Sequence, residues 1–204
     1  MASAVGVAKS AYLRQIGIDT DEVLSDELLA ELNADPAIEF VGRYIDSLTA
    51  AEVARIFATG RSILLFTYAN ELDPAPRLAE LAALGAPTGV TVVLDVESVQ
   101  LDAAALAAQI DGWSKAILDS GRDAGGYVGS GSGLSATQWG QRLTNRYMKS
   151  CSMVVEPPEG FSCEQLYPPD QKVRGMGASG KLLIDYDVMK ADYLGRFMNL
   201  WAPA

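Results

Sequence analysis

The sequence predicts an α/β protein built as one compact (β/α)8 barrel, TIM-barrel-like and slightly degenerate, and three observations lead there. Short apolar runs of strand character alternate with capped helical stretches along almost the whole chain. The clearest runs are continuously apolar, as in Val90–Val96 (VTVVLDV), which marks strands covered on both faces by helices. Eight such runs can be drawn, the number that closes a sheet of this type on itself. At 204 residues the chain sits near the lower limit of about 200 for such a barrel, so some helices are expected to be short or missing. No repeat, low-complexity tract or linker divides it. Residues 1–204 are read as one domain, with 1–14 as an N-terminal extension.

The elements follow in order. Gln15–Asp19 (QIGID) and Ile38–Arg43 (IEFVGR) are the first two strands. Thr49-Ala-Ala-Glu52 is a capping box opening a helix to Thr59, with Gly60 as its stop. Ser62–Tyr68 is the third strand, and Pro76–Leu84 a helix ended by Gly85. After Val90–Val96, Asp102 caps an Ala-rich helix over Ala103–Asp119 that stops at Gly121. Ala124–Gly129 follows, then a second capping box, Ser135-Ala-Thr-Gln138, leading a helix toward Arg146. Met148–Val155 and Ser162–Tyr167 are weaker strands, because Pro157, Pro158, Pro168 and Pro169 interrupt the pattern. Leu182–Tyr186 is the last strand. A final helix is expected over Val188–Trp201, with Met189, Tyr193, Phe197 and Leu200 on one face.

Composition removes whole classes of function. With 16 Lys+Arg against 26 Asp+Glu the net charge is −10, which offers no cationic footprint for nucleic acid or an anionic membrane. Histidine is absent, so Ser-His-Asp and Cys-His catalysis and His-ligated zinc are excluded, and carboxylates must carry any acid/base work. No cofactor is called for. Cys151 and Cys163 lack the paired spacing of a zinc site; they are either two buried thiols or, outside a reducing compartment, a disulfide closing the Pro-rich excursion Glu156-Pro-Pro-Glu-Gly160. Neither a secretory leader nor an 18-residue apolar run is visible. The expectation is a soluble, leaderless protein made in the cytoplasm.

Four acids fall at strand ends: Asp19, Asp95, Glu97 and Asp185. In barrels of this type catalytic groups come from the carboxyl ends of several strands, so the four are expected to converge at one mouth. Alternation along a strand puts Asp95 and Glu97 on one face, and likewise Asp185 and Asp187. Paired carboxyls are the working parts of glycoside hydrolysis, one protonating the leaving oxygen while another activates water or stabilises an oxocarbenium-like transition state. An amino-sugar substrate can also use its own acetamido group as nucleophile. Like charges so close disfavour double ionisation, so one carboxyl of such a pair is expected to keep its proton near neutral pH while the other stays charged. Asp187 is expected to matter less, as the cap of the final helix.

Gly17-Ile-Asp-Thr-Asp21, Phe40-Val-Gly-Arg-Tyr44, Leu48-Thr-Ala-Ala-Glu52, Leu84-Gly-Ala-Pro87, Gly126-Tyr-Val-Gly-Ser130 and Ile184-Asp-Tyr-Asp187 resemble the glycoside-hydrolase-like domain known as domain of unknown function 1906. That family is a barrel related to the family 25 lysozymes (N-acetylmuramidases). The resemblance spans about Gly17 to Asp187 and implies a lysozyme-like hydrolase of bacterial cell-wall peptidoglycan. Leu94-Asp-Val-Glu-Ser98 matches the D-x-E strand end of the lysozymes, which implies Glu97 as general acid, Asp95 and Asp185 as stabilising carboxylates and Asp19 at the first strand end. Arg43, Tyr68 and Tyr127 would then lie beside them as substrate-binding residues, or serve as core packing or a structural ion pair. The Ser and Gln-Gly pattern that follows the first aspartate in the lysozymes is replaced here by Asp21-Glu-Val-Leu-Ser-Asp26.

Two glycine-rich segments are not nucleotide sites. Gly175–Lys181 matches G-x-x-x-x-G-K but puts Leu182 where a P-loop has Ser or Thr, and Gly125–Gly133 lacks the dinucleotide order. The rival to an enzyme is a non-catalytic module, either a glycan-binding barrel or a structural part of a phage virion or tail, since one barrel hosts many functions. The absent leader fits a phage protein released at lysis or carried on a virion.

Overall fold

The computed structural model describes residues 6–70, 73–97, 99–129, 133–144, 146–151, 154–166 and 185–204. Among these residues ten strands and five helices follow one another as β1 (Gly6–Ser10), β2 (Ile16–Thr20), α1 (Asp26–Ala34), β3 (Ile38–Tyr44), α2 (Ala50–Ala58), β4 (Ser62–Tyr68), α3 (Ala75–Leu84), β5 (Thr91–Asp95), α4 (Ala103–Asp119), β6 (Asp123–Val128), α5 (Ala136–Trp139), β7 (Arg146–Lys149), β8 (Cys163–Leu166), β9 (Asp185–Met189) and β10 (Asn199–Pro203). Strands β2 to β9 form a closed eight-stranded barrel, joined where β4 pairs with β5. Seven strands run parallel. The eighth, β9, is antiparallel to both neighbours, β2 and β8. The remaining two form an antiparallel ribbon, β1 on β10, attached to the start of β4 through Trp201 and Ile63.

Alternation sorts the side chains into two cores. Outward residues such as Ile18, Val41, Leu65, Val92 and Leu94 pack beneath the helices with Leu28, Val53, Ile110 and Trp113. Inward residues Phe40, Leu64, Phe66, Val93, Tyr127, Met148, Cys163 and Met189 fill the lumen, with Ala11, Met198 and Leu200 in the same cluster. Gly17 faces this lumen because a β-carbon there would overlap the ring of Phe40.

Helix starts obey local chemistry. Ser25 caps α1 by accepting from Leu28 N at 3.2 Å, with Asp26 and Glu27 in the first turn where they favour the helix dipole. Asp102 accepts from the amides of Ala104 and Ala105 to start α4. Ser135 and Gln138 form the reciprocal box expected of them, but α5 ends at Trp139, well short of Arg146. At α2 Thr49 accepts from Glu52 N at 3.1 Å, while the Glu52 carboxylate turns inward to Arg43 Nε at 2.8 Å and to Leu24 N.

Two expectations are overturned. No final helix occupies Val188–Trp201: β9 runs to Met189 and β10 begins at Asn199. Between them Asp192 Oδ1 accepts from the amides of Leu194 and Arg196, and Gly195 adopts φ +75°. The apolar residues that mimic a helical face are spread over two strands and the turn between them: Met189 and Leu200 lie in the lumen cluster with Phe197 packed against it, and Tyr193 is exposed. Leu200 belongs to the lumen, while Trp201 packs edge-on against Phe57 of α2, ring centroids 5.3 Å apart. The disulfide alternative also falls: both cysteines are free, with Cys163 buried in the lumen and Cys151 half-buried beyond β7. The Gly175–Lys181 segment lies outside the described residues. No helix among the described residues is long and apolar enough to cross a membrane.

The Arg43–Glu52 pair is wholly buried, and removing one partner of such a pair costs about 3–5 kcal/mol because the other charge is left uncompensated. Arg43→Met is therefore expected to lower the unfolding free energy by about that amount in denaturant titration. A loss below about 1 kcal/mol, the range of surface pairs, would show that the pair does not hold the barrel wall.

Candidate active site

One end of the barrel opens into a cavity of about 530 Å³ lined by Asp19, Thr20, Asp21, Tyr44, Phe66, Tyr68, Asp95, Glu97, Tyr127, Gln165 and Asp185. All four acids expected at the mouth are present there. Asp19 and Asp95 reach it from the carboxyl ends of β2 and β5, and Glu97 from the turn after β5. Asp185 arrives by a different route, since it begins β9 rather than ending a strand. The antiparallel register sets Asp19 directly across from Asp185, so the reversed strand delivers its first residue to the same mouth.

Asp95 is held on both oxygens. Tyr44 Oη donates to Oδ2 at 2.8 Å and the Glu97 amide donates to Oδ1 at 2.9 Å. Tyr44 stacks between Phe66 and Tyr68, with centroid distances of 5.3 and 4.4 Å, forming an aromatic wall that runs up to Asp95. Burial and the nearby Asp95 push the Tyr44 hydroxyl well above its usual range, which keeps it a donor. Glu97 is exposed at the rim, lying over Gly129, where a β-carbon would collide with its carboxyl group.

The floor is built around Asp19. Gln165 Nε2 donates to Asp19 Oδ2 at 3.1 Å, and Gln165 Oε1 accepts from Tyr127 Oη at 2.9 Å and from the Cys151 amide at 3.1 Å. Two donors on its oxygen fix which way the amide points. Burial first, then the charge of Asp185, pushes the Asp19 carboxyl up to about 7. Burial also raises Asp185. Desolvation thus acts on both Asp19 and Asp185.

Of the residues expected beside the acids, Tyr68 and Tyr127 line the cavity and Arg43 does not. Arg43 lies one position before Tyr44 on β3, so alternation turns it outward. There it bonds Glu52, Ser47 Oγ and the carbonyl of Thr20, and so braces the loop that follows Asp19. Three residues escaped the sequence reading. Tyr44 was legible from parity, since it shares a face with Phe40 and Gly42. Gln165 sits on a weak four-residue strand. Asp187 is no helix cap but a fully buried residue of β9, on the same face as Asp185.

No family model and no curated protein matches this chain. Solved structures do. An uncharacterized protein of B. stearothermophilus aligns over 86% of this chain and 95% of its own, with 16% identity and a TM-score of 0.62. A muramidase from Acremonium alcalophilum aligns over 89% and 96%, with 12% identity and a TM-score of 0.56. This chain has the fold of these proteins. The catalytic domain of endolysin ply40 from bacteriophage P40 of Listeria monocytogenes shares it too, over 89% and 95%, with 11% identity and a TM-score of 0.52.

The raised Asp19 carboxyl has a consequence for stability. Its folded value of about 7 lies above the ordinary 3.8, so the native state holds a proton that the unfolded chain releases between those values. Stability from this group is full below about pH 4 and is lost as pH rises through about 7. Thermal unfolding followed from pH 4 to 8 should show Tm falling across that window in the wild type and a flatter profile in Asp19→Asn. Identical profiles for the two proteins would refute this protonation.

Proposed function

We propose that this protein is a lysozyme-like glycoside hydrolase acting on bacterial cell-wall peptidoglycan, within the glycoside-hydrolase-like group related to the family 25 lysozymes. The observation that carries the reading is the pairing of roles around Asp95. One carboxyl is locked by the Tyr44 hydroxyl and a backbone amide, while two residues on a second carboxyl, Glu97, stands exposed at the rim of the same cavity. The likeness of fold to a muramidase and an endolysin catalytic domain supports it.

In this reading a glycan lies across the mouth against the tyrosine wall, whose rings offer apolar platforms to sugar faces. Glu97 protonates the leaving glycosidic oxygen. Asp95, unable to swing away from its two donors, faces the positive charge that develops on the sugar ring as the bond breaks. A water molecule, returning a proton to Glu97, then attacks the anomeric carbon, either directly or to open the ring first closed by the acetamido oxygen of an amino sugar. Asp185 and Asp19 line the floor beneath, and Tyr68 and Tyr127 contact the substrate. The excess of acidic residues and the missing histidine fit a reaction run wholly by carboxyl groups. Release at phage lysis or carriage on a virion is the setting proposed for it.

Incubation of the purified protein with peptidoglycan should release soluble glycan fragments, and Glu97→Gln should slow release by about 10²–10⁴-fold, the usual contribution of a general acid. Equal rates for wild type and variant would remove Glu97 from this role. Release of no fragments by the wild type from any wall preparation would favour the non-catalytic module.

A further inference from the structure

The floor of the cavity holds a feature that glycan cleavage at the rim does not use. Asp187 is completely buried, and among the described residues neither of its carboxyl oxygens meets a conventional donor. Its neighbours across the sheet explain why. In the β2–β9 register it lies opposite Gly17, which has no side chain, with Asp19 and Asp185 as the next pair toward the mouth. In the β8–β9 register it lies opposite Gln165, whose oxygen is taken by Tyr127 and Cys151 and whose amide nitrogen goes to Asp19. What faces Asp187 is therefore the carboxyl group of Asp19, and the two interact side chain to side chain.

Two carboxyl groups form a hydrogen bond only when one carries a proton, because an ionised carboxylate only accepts. An isolated buried carboxylate is several kcal/mol unfavourable, so a shared proton is the arrangement that this geometry tolerates. The other titratable groups facing the pair do not replace it. Among the described residues they are Asp185 on the same strand, Asp95 from β5, Tyr44 from β3, Tyr127 from β6, Cys151 beyond β7 and Cys163 from β8. Every one is an acid, and an acid adds negative charge or none.

We infer that Asp187 and Asp19 share one proton across the β2–β9 seam, with Asp187 as the donor, and that Asp187 is the positioning residue that decides which protonation state Asp19 presents to the cavity. The direction of the bond follows from burial, since Asp187 is the more enclosed and Asp19 already accepts from Gln165. Burial and the charge of Asp19 raise the Asp187 carboxyl well above its ordinary value, and the bond from Asp187 lowers Asp19 while burial raises it. The inference rests on the proposed hydrolase only for its kinetic consequence. Through about pH 7 Asp19 releases its own proton, leaving the one that Asp187 donates, and a negative charge appears beneath the substrate.

The test reads the proton directly in the intact protein. Infrared difference spectroscopy of the wild type should show the carbonyl stretch of protonated carboxylic acid that weakens as pH rises through about 7 and persists above it from Asp187. Carbon-13 carboxyl NMR should assign this step to two coupled sites. In Asp187→Asn the amide donates permanently to Asp19, so the coupling should vanish and Asp19 should titrate in one step at lower pH. Asp187→Leu, which cannot donate, should leave Asp19 titrating singly but higher than in Asp187→Asn. If wall cleavage is observed, its alkaline limb should move to lower pH in Asp187→Asn, with the change falling on kcat more than on KM. No protonated carboxyl in the wild type, or an Asp19 titration unmoved by Asp187→Asn, would overturn the inference. Should a variant fail to fold, the wild-type spectrum alone decides. These spectra need no substrate, so failure of wall cleavage with the coupled titration intact would strike the proposed function and leave this inference standing.

Discussion

The antiparallel seating of β9 between β2 and β8 is the constraint on which the rest of the structure depends. Seven parallel strands leave a gap that an eighth must fill, and here the filling strand is reversed. Had it run parallel, Asp185 would lie toward the closed end of the lumen. Reversal puts the first residue of β9 level with the last residues of β2, which brings Asp185 beside Asp19 and leaves Asp187 one layer below. The barrel is closed and the acidic mouth assembled by the same ladder of hydrogen bonds.

Concentrating acids in this way has an energetic cost that decides their chemistry. Placing a carboxylate in the interior costs several kcal/mol after relaxation, whereas keeping its proton costs about 1.4 kcal/mol for each pH unit above its ordinary pKa. Up to about neutrality, protonation is the cheaper course for a carboxyl with no cation beside it. Asp19 follows it, and Asp187 more so. Asp95 instead has a donor on each oxygen. Glu97 lies exposed at the rim. Four acids close together thus differ in environment, and such differences are what allow carboxyl groups to play unlike roles in one reaction.

Much of this was legible before any coordinates. The fold class followed from the alternation of elements, and Val90–Val96, Ser62–Tyr68 and Ala103–Asp119 fall within a residue or so of their observed bounds because continuous apolar runs and an Asp cap are strong local signals. Convergence of Asp19, Asp95, Glu97 and Asp185 was also expected, though the reversal of β9 was not, since a single strand carries no mark of its direction. The error over Val188–Trp201 has a definite origin. Residues at positions 189, 193, 197 and 200 satisfy a helical period by coincidence, and the turn built by Asp192 and Gly195 outweighs it. That error also demoted Asp187 from a buried partner to a surface cap. Arg43 was misassigned for a simpler reason: Phe40, Gly42 and Tyr44 share one parity, so the tyrosine faces the cavity and the arginine faces α2. Helix α1 was not foreseen, although Ser25 followed by Asp26 and Glu27 is a legible start.

The central claim is that the acidic mouth, and no other part of the barrel, receives an amino-sugar glycan. Its most direct measurement is the change in backbone amide NMR shifts when soluble fragments of peptidoglycan glycan are titrated into the protein. The account predicts saturable shifts at Tyr44, Tyr68, Glu97, Tyr127 and Gln165, with none at the opposite end of the barrel around Gln15 and Arg61. Shifts confined to that opposite end, or no saturable shift at the mouth with any fragment, would contradict it.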